Sequence, residues 1–148
     1  MTTAAKFPAF LGEIHTEAPA NPGAGNVYGN LVVPTGFVYC LYAMQYRVAT
    51  DATVTNRYPR VFYGIGGVDS TRHFCNSTIQ QNQTVDVSFA LGWGFADANG
   101  AIVAANDRCM GLPLIFVPAA GWFRVGLKQI QAGDVLTSLK LHFLRWRV

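Results

Sequence analysis

The chain has 148 residues, enough for one domain, and at that size it buries roughly 68–70% of its extended surface without needing disulfides or a metal. Charged residues make up only 13%, about half the usual ~25%, beside 51% apolar residues, so part of the surface is expected to be covered by copies of the chain or by other proteins. The net charge of +3 comes from scattered basic residues and offers no nucleic-acid face, and the lack of a run of about 18 apolar residues argues against a helical membrane span.

Residues 1–26 differ from the rest. Residues 13–26 read EIHTEAPANPGAGN, with Pro19 and Pro22 restricting the backbone and little apolar periodicity. This stretch is expected to be an extended N-terminal arm outside a single β domain at residues 27–148. Phe7, Phe10, Leu11 and Ile14 are too apolar for free solution, so the arm is expected to pack on another subunit. The opening residues lack the long apolar core of a signal peptide.

From there the chain reads as eight or nine strands and no helix. Strands are expected at residues 28–33, 37–49, 60–65 and, more weakly, 71–76. The clearest follows at residues 84–95. Val85, Val87, Phe89, Leu91, Trp93 and Phe95 fall on one face, and Asp86, Ser88, Ala90, Gly92 and Gly94 on the other, the period-two pattern of a half-buried strand. Asn99-Gly100 is a tight-turn pair, so residues 101–105 should return antiparallel. Strands at 112–117, 122–128 and 135–148 complete the set. In the last, Leu139, Leu141 and Phe143 point one way and Leu144, Trp146 and Val148 the other, which predicts a β-bulge near Phe143. The fold class is all-β: an antiparallel two-sheet β-sandwich of jelly-roll type, with a large barrel as the alternative. Phe89, Leu91, Trp93, Leu141 and Phe143 are expected in its core.

Residues that could carry chemistry do not assemble into a site. Asp69, Ser70 and His73 lie close in sequence but lack a nucleophile elbow or oxyanion-hole motif, and are expected in a polar loop. Gly64-Ile65-Gly66-Gly67 lacks the spacing of a phosphate loop and reads as a turn. His15, His73 and His142 share no ligand spacing, and Cys40, Cys75 and Cys109 form no CxxC pair, so free thiols in a reducing compartment and no cofactor or metal are expected. Asn76-Ser77-Thr78 and Asn82-Gln83-Thr84 match the glycosylation pattern by accident. Arginines outnumber lysines eight to three, a balance that suits interfaces. Arg145 and Arg147 share one strand face and are expected at a solvated or inter-subunit edge.

Two segments carry a family resemblance. Thr50-Asp51-Ala52-Thr53-Val54-Thr55-Asn56-Arg57 is similar to a TDATVxNR segment of small virion-associated structural proteins of tailed bacteriophages, where it also follows a long aromatic strand. The second runs from Leu112-Pro113 through the Pro118-Ala119-Ala120-Gly121 turn to Gln131-Ala132-Gly133-Asp134 before the final strand, and resembles the ending of those proteins. The resemblance spans about residues 30–148 and implies a β-sandwich virion component with no catalytic residues. In it, Asp51 and Arg57 would bridge and lock their loop, and Gly133-Asp134 would form a turn whose carboxylate accepts backbone N–H bonds.

The resulting expectation is a non-enzymatic phage structural subunit, a capsid decoration or neck-associated protein assembled in the host cytoplasm into the virion. Its partners would be itself, with a trimer expected for a shell-bound version, and other virion proteins such as major capsid or neck proteins, with no membrane and no specific nucleic acid. The alternative is a carbohydrate-binding or host-recognition module on the same scaffold. Exposed aromatics clustered in a groove would favour sugar, and aromatics spread over a flat face would favour assembly.

Overall fold

The computed structural model describes residues 12–66, 68–75, 78–91 and 107–148. The chain is all-β and forms two sheets. The six-stranded sheet has the order β1 (Glu13–Glu17), β10 (Val135–Arg147), β3 (Phe37–Ala49), β6 (Thr84–Leu91), β7 (Asp107–Leu112), with β8 (Phe116–Val117) also pairing β3. The four-stranded sheet has the order β2 (Leu31–Val32), β9 (Trp122–Lys128), β4 (Tyr58–Ile65), β5 (Val68–Phe74). All pairs are antiparallel except β6 with β7, which is parallel. This corrects the expectation of a wholly antiparallel arrangement. The expected return strand at 101–105 lies outside the described residues, as do Trp93 and Phe95.

The two sheets press their apolar faces together. From the larger sheet come Leu41, Met44, Tyr46 and Val48 of β3, Val85, Val87 and Phe89 of β6, and Leu136, Leu139, Leu141 and Phe143 of β10. From the smaller come Val61, Tyr63, Phe123, Val125 and Leu127. The Phe123 and Phe143 rings meet across the gap with centroids 5.0 Å apart, and the Tyr46 hydroxyl donates to the Gly126 carbonyl at 3.0 Å. Buried rings in such tilted pairs add cohesion beyond their area. Leu91, expected in the core, is only half-buried at the end of β6.

Two irregularities set which side chains reach this core. Thr137 of β10 faces Arg47 of β3 while Lys140 faces Gln45, so Ser138 and Leu139 share one partner position. Ser138 takes φ 59, and the extra residue turns both Leu136 and Leu139 inward, three apart. A second shift falls between His142 and Phe143, where the bulge was expected. The extra residue, however, is Tyr42 of β3, since His142 faces Ala43 and Phe143 faces Leu41. That explains the burial of Tyr39 and Leu41 on one parity of β3 and of Met44, Tyr46 and Val48 on the other. In β10 the alternation continues unbroken past Phe143. Leu144 and Trp146 lie on the outer face, where the Trp146 ring packs 5.4 Å from that of Phe116.

Residues 12–26 do not leave the domain. Glu13–Glu17 pairs with β10, with Glu13 opposite Arg145 and Glu17 opposite Leu141. Beyond it the proline-rich stretch is strapped down. The Asn21 side-chain oxygen accepts from the Ser138 backbone N–H at 2.9 Å and from the Tyr28 hydroxyl at 3.2 Å, and the Gly25 N–H donates to the Asp134 carbonyl at 2.8 Å. Pro19 and Pro22 are compatible with this because the strap meets the domain through side chains and single backbone bonds, not through a ladder. Phe7, Phe10 and Leu11 lie outside the described residues.

Replacing Phe89, which is 1% exposed, with Ala should lower unfolding free energy by about 3–5 kcal/mol in chemical denaturation. Deleting residues 1–26 removes β1 and the Asn21 and Gly25 bonds. It should lower the melting temperature of the isolated chain. Unchanged melting of the truncated chain would contradict this account of the strap.

Candidate functional site

The most organised polar group lies at the end of the molecule where β3 finishes and β4 and β10 begin. Arg57 precedes β4 and is tied by a two-way backbone bridge to Ile79, 2.9 Å in each direction. Its side chain is fully buried. Nε and Nη2 donate to the two carboxylate oxygens of Asp134 at 2.9 Å each, and Nη2 also donates to Asp51 Oδ1 at 2.6 Å. Nη1 donates to the carbonyls of Thr53 and Thr55 at 2.9 and 3.1 Å. All five guanidinium donors are therefore used, which is the full capacity of the group.

The carboxylates are equally occupied. Asp134, also fully buried, accepts the Asp51 and Gln131 backbone N–H groups at 3.0 and 2.8 Å in addition to Arg57. Asp51 accepts the Thr53 and Gly133 N–H groups at 2.9 and 3.1 Å. Gly133 is required there, because a Cβ would sit 2.8 Å from that of Asp51. The Thr53 N–H, with help from Gly133 and the Arg57 guanidinium, holds the Asp51 carboxyl below its usual range. Asp51, Arg57, Gly133 and Asp134 were expected on two separate turns, and the fold joins them in one cluster. All five guanidinium donors and both Asp134 oxygens are engaged inside the chain, and Asp51 alone in the cluster keeps a partly exposed carboxylate. The cluster is a structural pin.

The other candidate residues are dispersed. Ile14 is exposed on β1. Arg145 pairs with Glu13 at 2.9 Å and stacks on Phe37 at 5.2 Å, with Arg147 on the same ring at 5.7 Å. Asp69, Ser70 and His73 fall on β5, not in the expected loop. His15 lies 2.5 Å from Glu17, and His142 Nδ1 lies 3.0 Å from the Thr16 hydroxyl. Among the described residues no three His, Cys, Asp or Glu side chains group as a metal site would need, and no helix is long and apolar enough to cross a membrane. Burial pushes the Tyr46 and Tyr63 phenols above their ordinary range. Cys40 and Cys75 are buried and Cys109 half-buried, and none of the three is joined in a disulfide.

Two surface features escaped the sequence reading. The outer face of the smaller sheet carries cations over rings: Arg60 on Phe62 at 4.4 Å, Arg124 on Trp122 at 4.9 Å, and Lys128 on Tyr58 at 5.8 Å. The alternation Tyr58, Arg60, Phe62 was its signal. The outer face of the larger sheet holds a polar groove lined by Gln45, Arg47, Asp86, Ser88 and Lys140. Within it Arg47 grips Asp86 with two bonds of 2.8 and 3.0 Å. No family model, curated protein or solved structure matches this chain.

Arg57→Ala would leave Asp134 buried without its counter-ion and should cost about 3–5 kcal/mol in a denaturant titration, with Arg57→Lys far from neutral because one ammonium cannot replace the fork. Stability arising from the lowered carboxyls of Asp51, Asp86 and Glu13 is fully present above the ordinary carboxylate range and is lost as pH falls through their depressed values. Asp51→Asn should therefore flatten the acid limb of the stability–pH curve. An unchanged acid limb would show that Asp51 carries none of it.

Proposed function

We propose that this chain is a non-enzymatic structural subunit of a tailed-phage virion, a jelly-roll-like sandwich acting as a capsid decoration or neck-associated protein. It would work through contacts with itself and with other virion proteins. The observation that carries this reading is the meeting of the two resembling segments. Thr50 to Arg57 and Gln131 to Asp134 are far apart in sequence, yet they supply the carboxylates and guanidinium of a single buried pin. Residues that bear the likeness to phage structural proteins thus build the scaffold. The low charge content agrees, since a subunit covered by neighbours needs little surface charge.

The placement of aromatic side chains favours assembly over the glycan-binding alternative. Trp122, Tyr39, Tyr46 and Tyr63 are buried, and the exposed ring of Phe116 lies on an open sheet face against Trp146. The apolar cleft beside Pro19 and Leu31 is lined only by the rings of Tyr28 and Phe123, both buried. The polar groove around Gln45 and Lys140 contains only Tyr46, whose ring points into the core. The test is to purify particles of the virus that encodes the chain and locate it by mass spectrometry and antibody-labelled electron microscopy. Stoichiometric labelling on the shell or neck is expected. Absence from the particle would overturn the reading.

A further inference from the structure

The outer face of the larger sheet carries a continuous apolar row. Ile14 of β1 stands opposite Leu144 of β10, Leu144 opposite Cys40 of β3, and Cys40 opposite Phe116 of β8. Side chains paired in register share a face, and this one is turned away from the core. Ile14 and Phe116 are 59% and 51% exposed, with Leu144 half-buried between them. Trp146, two residues along β10 from Leu144, packs its ring 5.4 Å from that of Phe116. The described chain begins against that same ring. Gly12 takes φ 71, and a Cβ there would sit 2.7 Å from Trp146 Cε2.

We propose that this row is the seat of residues 1–11 of the same chain, with Phe7, Phe10 and Leu11 covering Ile14, Leu144 and Phe116. Three observations select that segment. It joins the domain at Gly12, on the Trp146 ring that itself touches Phe116. Its length fits. The row crosses from β1 to β8 in three inter-strand steps, about 14 Å, and the five residues Phe7 to Leu11 reach about 17 Å when extended. Its chemistry fits as well, since only Lys6 among the eleven has a charged side chain and the apolar residues lie in the part that reaches the row. The tether then decides which copy is covered. A segment attached beside its seat competes at an effective concentration on the order of millimolar, well above that of a second copy in micromolar solution. The proposal gives to the chain's own domain side chains that the sequence reading gave to another subunit. It goes beyond the assembly reading and does not rest on it.

The test uses the full chain with the photo-crosslinker p-benzoylphenylalanine in place of Phe10, irradiated at micromolar concentration. A product of single-chain mass is expected, joined by peptide mass spectrometry to Leu144, Trp146 or Phe116. A product of double mass would put the segment on a neighbouring copy and overturn the proposal, as would a crosslink elsewhere on the domain or none at all. A second measurement reads the face itself. Phe7→Ser with Phe10→Ser should uncover the row and raise the fluorescence of added anilinonaphthalene sulfonate, a dye that reports exposed apolar surface. Adding Ile14→Ser and Phe116→Ser should remove that gain, and both positions already face water, so strand content by circular dichroism should hold. No gain in the first variant, or a gain that survives the second pair, would overturn the proposal. Absence of the chain from virus particles would end the assembly reading and leave these outcomes unchanged.

Discussion

An arginine shut away from water must have every donor answered and its charge balanced, and Arg57 meets both demands only while several separate stretches of chain stay in place. The 51–57 loop supplies one carboxylate and two carbonyls, the turn before β10 supplies the other carboxylate, and the bridge to Ile79 holds the approach to β6. Asp134 carries the constraint further. Its side chain grips Arg57 while its backbone carbonyl accepts from Gly25, so the N-terminal strap is moored at the same point. The starts of β4 and β10 and the end of β3 are thus fixed together, and with them the registers of both sheets.

That fixed end makes the bulges tolerable. A strand that slips by one residue turns its whole apolar set to the wrong face. β3 and β10 are both thirteen residues long and contain two register shifts between them. With their shared end held at Asp51 and Asp134, each shift re-aims a known set of side chains. Ser138 turns Leu136 and Leu139 inward together, and its own N–H, freed from the ladder, is taken up by Asn21. Tyr42 lets β3 present Tyr39 and Leu41 and then Met44, Tyr46 and Val48 to one core. The strap and the bulge therefore depend on one another.

The same arrangement gives the molecule its polarity. At the pinned end the Arg57 guanidinium and the Asp134 carboxylate are consumed internally. The far end is closed by short turns, including Pro34 to Phe37 and Pro118 to Gly121, and by the C-terminus, where Val148 donates to the Gly36 carbonyl. Apolar side chains accumulate there because no further layer of this chain covers them in the described structure.

Period-two alternation was enough to place β3, β9, the start and core face of β6, and the extent of β10, because in a half-buried strand the pattern of apolar side chains is itself the structure. Turn chemistry placed the 34–36 and 66 turns for the same local reason. What sequence could not decide was pairing. β7 runs parallel to β6 because partner and direction are chosen by the whole sheet, and the polar, proline-rich stretch at 13–26 carries no periodicity that would have revealed β1. The bulge near Phe143 was legible as a change of face, but only the register shows that its extra residue is Tyr42 on the neighbouring strand. Asp51 and Arg57 could be paired from their closeness in the chain. That Asp134 completes the pin from 77 residues away is a tertiary fact, settled by the requirement that a buried guanidinium leave no donor unanswered.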